Sequence, residues 1–168
     1  MVKIRKASGN EIEMIREQRV MAYEEHAQKV PEGHWEALRK SILSDADEQM
    51  GVELLVAELE GEVVGSVALF PSKSDAYKGL SDMVDYPEIR MLAVAPQARR
   101  KGIAEALIKE CILRAKVSGT KYIGLHTADF MEAAIRLYER MGFIRMTEFD
   151  FQPADDGIIV KAYRLSIS

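Results

Sequence analysis

The stretch from Glu88 to Val117 constrains the fold more than any other part of the chain. Ile89 to Val94 is a run of strand formers stopped by Pro96. From about Arg100 to Val117 the apolar positions Ile103, Leu107, Ile108, Cys111, Ile112 and Ala115 recur with helical period. Gly119 stands where a C-cap glycine would close that helix. A second strand, Tyr122 to His126, follows, so a strand–helix–strand unit occupies the centre of the sequence.

The flanks read as antiparallel pairs. Val2 and Ile4 alternate with Lys3 and Arg5, as in a short first strand. Ser8 and Glu11 have capping-box spacing, which predicts a helix running toward Gln28 with Ile12, Ile15, Arg19 and Ala22–Tyr23 along one side. A second helix follows Pro31 through Trp35, Leu38 and Ile42. Val52–Leu59 and Val63–Phe70 flank the turn Glu60-Gly61 as a hairpin. Met131 to Met141 reads as a helix closed by Gly142. Phe143–Phe151 and Ile158–Ser166 read as a final hairpin around Pro153-Ala154-Asp155-Asp156-Gly157. The order β-α-α-β-β-β-α-β-α-β-β predicts an α/β fold, a mixed sheet with helices on its faces. Residues 71–87 are long for a plain connection, and read either as a substrate-side loop or as solvated chain.

Composition excludes several classes. At 168 residues and 48% apolar, the chain suits one domain, 1–168, with a packed core. No apolar run approaches the ~20 residues of a membrane span, and no apolar stretch backs the basic N-terminus as in a signal peptide. No membrane partner and a cytoplasmic location are the expectation. A net charge of −4, from 23 basic and 27 acidic residues, argues against a nucleic-acid partner. The histidines His26, His34 and His126 lack metal-ligand spacing, so no metal site is expected. Cys111, the only cysteine, falls on an apolar helix face and reads as core.

Between strand and helix lies a short basic turn with a glycine. Helix N-termini carry unpaired N–H groups and a positive dipole end, and phosphate binds there readily. Gly102 permits close approach of an anion, Ala104 keeps the first turn uncrowded, and Arg99, Arg100 and Lys101 supply charge. The same residues also read as a basic helix start on the surface. Neither the P-loop pattern nor the Rossmann glycine pattern is present.

Gln97-Ala-Arg-Arg100-Lys-Gly102-Ile-Ala104 resembles the Q/R-x-x-G-x-G/A pyrophosphate-binding signature of the GNAT (GCN5-related N-acetyltransferase) superfamily. Met91–Val94 resembles that family's fourth strand, and Ala133 to Phe143 resembles its second cofactor-binding helix with the strand after it. The element order matches as well. The resemblance implies acetyl-CoA as acyl donor and N-acetyl transfer to an amine, with a homodimer as one assembly. Backbone groups of Leu92, Ala93 and Val94 would pair with the pantetheine arm. Amides of Arg99, Arg100, Lys101, Gly102, Ile103 and Ala104 would hold the pyrophosphate, and Ala134 and Tyr138 would line the arm. The two central parallel strands would splay to admit the thioester. Met131 departs from the pattern, since many members carry Asn there, and Thr127 or Asp129 is the available polar replacement.

For the chemistry, a lysine-like amine has a pKa of about 10.4 and must lose a proton before attack. A backbone N–H of the central strand, Val94 by position, would polarise the carbonyl. Tyr138 sits where similar acetyltransferases place the acid that protonates the departing sulfur; it reads otherwise as an aromatic packing helix to sheet. Glu88 aligns with the catalytic glutamate of histone acetyltransferases, and reads otherwise as a strand-end carboxylate. His126 is a lesser candidate, and Glu24, Glu25 and His26 lie where the fold builds its acceptor wall. A small-molecule or amino-acid-like amine is the first acceptor expectation. Protein N-terminal or lysine acetylation and a non-catalytic acyl-CoA sensor are the alternatives.

Overall fold

Seven strands form one mixed sheet in the order β1-β2-β3-β4-β5-β7-β6. They are β1 Val2–Lys6, β2 Glu53–Leu59, β3 Glu62–Phe70, β4 Glu88–Val94, β5 Tyr122–Ala128, β6 Ile144–Arg145 and β7 Val160–Ser166. The helices are α1 Ile12–Tyr23, α2 Glu32–Ile42, α3 Ile103–Val117 and α4 Glu132–Arg140. The computed structural model describes residues 1–73 and 84–168, so most of the 71–87 loop reading lies outside the described residues.

The expected element order holds, and β4 and β5 are the parallel pair around α3. Every other pairing is antiparallel. Leu55, Val67, Ile89, Ile103, Leu107, Ile108, Cys111, Ile123 and Leu125 make one core between α3 and the sheet. The contact is close because Gly65 on β3 has no side chain: a Cβ there would stand 3.0 Å from the Ala93 carbonyl and 3.1 Å from the Ile103 side chain.

Three boundaries differ most from the sequence expectation, each for a local reason. The first helix ends at Tyr23, and a 3-10 stretch covers Glu24–Lys29. The Ala22 carbonyl, which an α-helix would offer to the amide of residue 26, accepts a bond from Arg99 Nη2 at 3.0 Å instead. The central helix begins at Ile103 rather than Arg100, because Arg100 (φ 64°) and Gly102 (φ 74°) are both left-handed. The expected strand Phe143–Phe151 pairs only at Ile144–Arg145 and then leaves the ladder as a 3-10 turn, Thr147–Phe149. There Asp150 turns back, accepting from Arg145 Nη2 at 2.7 Å and from the Ala162 amide at 2.8 Å. Phe151 rejoins as an isolated bridge to Val160.

Candidate active site

β4 and β5 each have seven residues but pair only at Glu88–Gly124 and Ile89–Leu125. Beyond that point the strands part. Against β3, the register of β4 slips by one residue between Ala93 and Arg90. Met91 sits at this bulge with φ 59°, a conformation that non-glycine residues adopt only under strain. Among the described residues, the β5-facing edge of β4 is thereby left without a strand partner from Arg90 onward.

A cavity of about 360 Å³ fills this fork and runs on to the start of α3. Ile89 to Val94 form one wall, and His126, Thr127 and Met131 with the α4 residues Ala133, Ala134, Leu137 and Tyr138 form the other. Arg99, Arg100, Gly102, Ile103 and Ala104 close one end, and Ala22, Tyr23, Glu25 and His26 lie across it. Among the described residues, the N-terminus of α3 has no side-chain cap, so its first amides are left for another acceptor. Alternating left- and right-handed residues, as around Arg100 and Gly102, form the concavities in which successive N–H groups collect anions. Apart from its chain neighbours, nothing among the described residues lies within 4 Å of where a Gly102 Cβ would be, so an anion has room to approach.

The expected site residues are placed unequally. Leu92, Ala93, Val94, Arg99, Arg100, Gly102, Ile103, Ala104, Thr127, Ala134 and Tyr138 all line the cavity. Lys101 is exposed and does not. Arg99 lines it while pairing with Glu25 and with the Ala22 carbonyl, which ties the phosphate-type turn to the end of α1. Thr127 Oγ1 contacts Met131 Sδ at 3.6 Å, so hydroxyl and thioether occupy the wall together. Asp129 is engaged elsewhere, accepting from the Ile159 amide at 3.2 Å.

Tyr138 is 5% exposed, and burial pushes its phenol well above the ordinary value, with the Tyr23 and Cys111 charges adding to the rise. It therefore stays protonated, as a proton donor must. Tyr23 crosses from α1 to donate its hydroxyl to the Leu92 carbonyl at 2.8 Å. Burial raises its phenol too, while Arg19 and Arg90 pull the other way. His26 is lowered, chiefly by burial. Cys111 is sealed in the core, where burial lifts its thiol to about 12.

Glu88 is not on the cavity wall. Its carboxylate is buried 2.9 Å from His126 Nδ1. His126 is among the residues lining the cavity, with its side chain 2% exposed. Nε2 of the same ring faces the Phe149 carbonyl at 3.0 Å. A carbonyl only accepts, so Nε2 is the donor in this contact. Sequence reasoning passed over Arg90 and Tyr23 as site residues. Arg90 could have been found as the one charge inside an otherwise apolar strand core, and Tyr23 from its place on the inner side of the first helix.

The comparisons with known proteins agree with this geometry. The model of the Acetyltransferase (GNAT) family matches residues 12–143. The chain belongs to the GNAT acetyltransferase family. The GNAT match takes in the cavity from Ala22 to Arg140. Among curated proteins the chain is similar to N-acetyltransferase family 8 member 3 of Rattus norvegicus, 32% identical over 94 residues, 56% of this chain and 39% of that protein. It is also similar to the N-acetylaspartate synthetase of Xenopus tropicalis, 32% identical over 122 residues, 70% of this chain and 42% of that one. The chain thus spans less than half the length of either relative. Among solved structures, the PaiA N-acetyltransferase of Thermoplasma acidophilum in complex with coenzyme A shares the fold with TM-score 0.68 at 16% identity, covering 98% of this chain and 99% of that one. YncA of Salmonella typhimurium, with its cofactor acetyl-CoA, does so with TM-score 0.64 at 20% identity, covering 100% and 95%. Among the described residues, no helix is long and apolar enough to cross a membrane, and no group of three His, Cys, Asp or Glu side chains could hold a metal.

Proposed function

We propose that this chain transfers an acetyl group from acetyl-CoA to a primary amine of a small or amino-acid-like acceptor, by direct attack within a ternary complex. The observation that carries the reading is one cavity joining the uncapped, basic start of α3 to the fork between β4 and β5, with Tyr138 on its wall. Family membership supports it, as do the bound coenzyme A and acetyl-CoA of the fold neighbours.

The residues present fit such a substrate. The amides from Arg99 to Ala104 take the pyrophosphate, with Arg100 adding charge at the mouth. Backbone groups of Leu92, Ala93 and Val94, next to the unpaired edge of β4, take the pantetheine arm. Thr127 and Ala134 bound the arm opposite. The Val94 amide polarises the thioester carbonyl, and Tyr138, held neutral by burial, gives its proton to the departing thiolate. The amine's proton goes to the Glu88–His126 pair. His126 is the member of the pair among the cavity-lining residues, and Glu88 is the carboxylate that orients its ring.

The test is thermal unfolding with acetyl-CoA, with ATP and NAD as controls, followed by thiol release on a panel of amines. At about 100 times Kd a ligand adds roughly 2.7 kcal/mol, several degrees for a chain of this size. A shift specific to acetyl-CoA together with amine-dependent thiol release is the expected result. A shift without turnover on any amine would replace the enzyme reading by that of an acyl-CoA sensor. No shift would remove the cofactor assignment.

A further inference from the structure

The last turn of α1 is tied to the cavity at two successive residues. The Ala22 carbonyl accepts from Arg99 Nη2 at 3.0 Å, which fixes that turn to the basic approach to α3. The next residue, Tyr23, donates its hydroxyl to the Leu92 carbonyl at 2.8 Å, 69 positions away on β4. Tyr23 and Leu92 both line the cavity, as do Glu25 and His26 just beyond the end of the helix.

Leu92 belongs to the irregular step of β4. Ser66 pairs with Ala93 and Ala68 with Arg90, so Val67 alone stands opposite Met91 and Leu92. A bulge of this kind leaves a residue out of the ladder, and glycine is the usual choice where its backbone turns left-handed. Here the left-handed residue is Met91, buried and at φ 59°. Such a conformation persists only where its surroundings hold it. Among the described residues β5 gives no support, because its last pair with β4 is at Ile89. The Tyr23 hydroxyl does, since it grips the carbonyl of the residue next to Met91 from a helix that is itself pinned.

A phenol that donates to a carbonyl has its proton committed, so what Tyr23 supplies is position rather than acid. Burial raises the phenol above its ordinary value, and the bond therefore keeps its proton through neutral pH. Rate depends on such a contact more steeply than affinity does. A misplacement of about 1 Å between reacting groups costs on the order of 10²-fold. The pyrophosphate end of the donor, held at the start of α3, does not sense that shift.

We propose that Tyr23 is a positioning residue for acetyl transfer: through the Leu92 carbonyl its hydroxyl holds the left-handed turn at Met91 and sets the spacing between the end of α1 and the donor strand. The inference rests on the acetyltransferase reading, in which Leu92, Ala93 and Val94 take the pantetheine arm and Glu25 and His26 stand on the acceptor side.

The experiment is a double-mutant cycle on kcat, with acetyl-CoA affinity and thermal midpoint measured on every member. Tyr23→Phe removes the hydroxyl and keeps the ring that meets His26 edge-on at 6.4 Å. It is expected to lower kcat at least about tenfold, in parallel across the pH profile, with acetyl-CoA affinity within about threefold and the midpoint within a few degrees. Met91→Gly adopts the left-handed turn without strain, so in that background the loss of the hydroxyl should cost at least about threefold less. Where Met91→Gly fails to fold, Met91→Asn takes its place, since asparagine also tolerates this region. A smaller fall in kcat, a matching loss of acetyl-CoA affinity, or equal costs in the two backgrounds would overturn the proposal. So would a pH profile that loses a limb, which would make Tyr23 an acid or base. Each of these outcomes leaves the acetyltransferase reading standing, whereas a wild type that binds no acetyl-CoA or turns over no amine takes both down.

Discussion

Glu88 Oε2 and His126 Nδ1 meet at 2.9 Å where β4 and β5 make their last pairs before parting. Both side chains are almost fully buried, and removing one partner of such a pair destabilises strongly. The contact therefore does two jobs: it holds the fork closed at its base and places a carboxylate beside the His126 ring. Glu88→Gln separates them, since the amide keeps an acceptor toward Nδ1 but loses the charge. The expected outcome is a kcat lowered by roughly 10²–10⁴-fold, with acetyl-CoA affinity nearly intact and a thermal midpoint within a few degrees of wild type. A kcat within a few-fold of wild type would reduce the pair to a structural peg.

Tyr138→Phe removes one hydroxyl from the opposite wall and leaves the ring that packs edge-on to Phe143 at 5.8 Å. The fold should hold, and kcat should fall by about 10²–10⁴-fold. Because burial drives the phenol upward, Tyr138 should impose no fall in wild-type rate through neutral and mildly basic pH. A pH–rate profile of wild type and variant checks both statements, and superimposable profiles would remove Tyr138 as the acid.

What the sequence made legible was local. The runs at β2, β3 and β4 and the helical period of α3 were readable because each burial pattern repeats within a few residues. The basic turn was readable because Gly102 and its flanking charges are contiguous. What escaped depends on contacts across the fold. The end of α1 is set by Arg99, 77 residues away, taking the Ala22 carbonyl. The short β6 is set by Asp150 folding back on Arg145 and the Ala162 amide. Glu88 looked like a cavity carboxylate because its alignment said nothing of His126, 38 positions on, against which it is buried. No periodicity encodes such pairs.

The start of the chain carries its own pH signature. Arg5 donates to Glu11 at 2.8 Å and to Glu58 at 2.8 Å, joining β1, β2 and the approach to α1. Glu11 also accepts from the Ser8 amide at 2.8 Å. The Arg5 bond, with the Ser8 amide second, lowers the Glu11 carboxyl from 4.5 to about 2. A depressed carboxyl stabilises the fold fully above its ordinary value, and that stability is lost as pH falls through the folded value. Between about pH 4.5 and 2 the wild type should thus lose stability faster than Glu11→Gln, and above that window it should be the more stable by on the order of 1 kcal/mol. Thermal midpoints of the two proteins from neutral pH downward measure the difference; parallel curves would show the contact contributes nothing.

Gly65 is where packing and site depend on the same missing atom. It lies opposite Val94 in the β3–β4 ladder and under the first turns of α3. A Cβ there would meet the Ala93 carbonyl at 3.0 Å, Ile103 Cγ2 at 3.1 Å and Leu107 Cδ1 at 3.3 Å. Ile103 and Leu107 are fixed in the core, so they have little freedom to yield, and the carbonyl belongs to the strand that walls the cavity. Gly65→Ala should therefore cost about 1–3 kcal/mol, as overpacking does. The relief available is a small shift of α3 or of β4, and either moves the amides of Gly102 to Ala104 relative to Leu92–Val94. Acetyl-CoA affinity should fall by several-fold or more even though Gly65 does not line the cavity. Denaturant unfolding measures the first effect and equilibrium titration of acetyl-CoA the second. Loss of stability with unchanged affinity would mean that the core absorbs the methyl without moving the two walls apart.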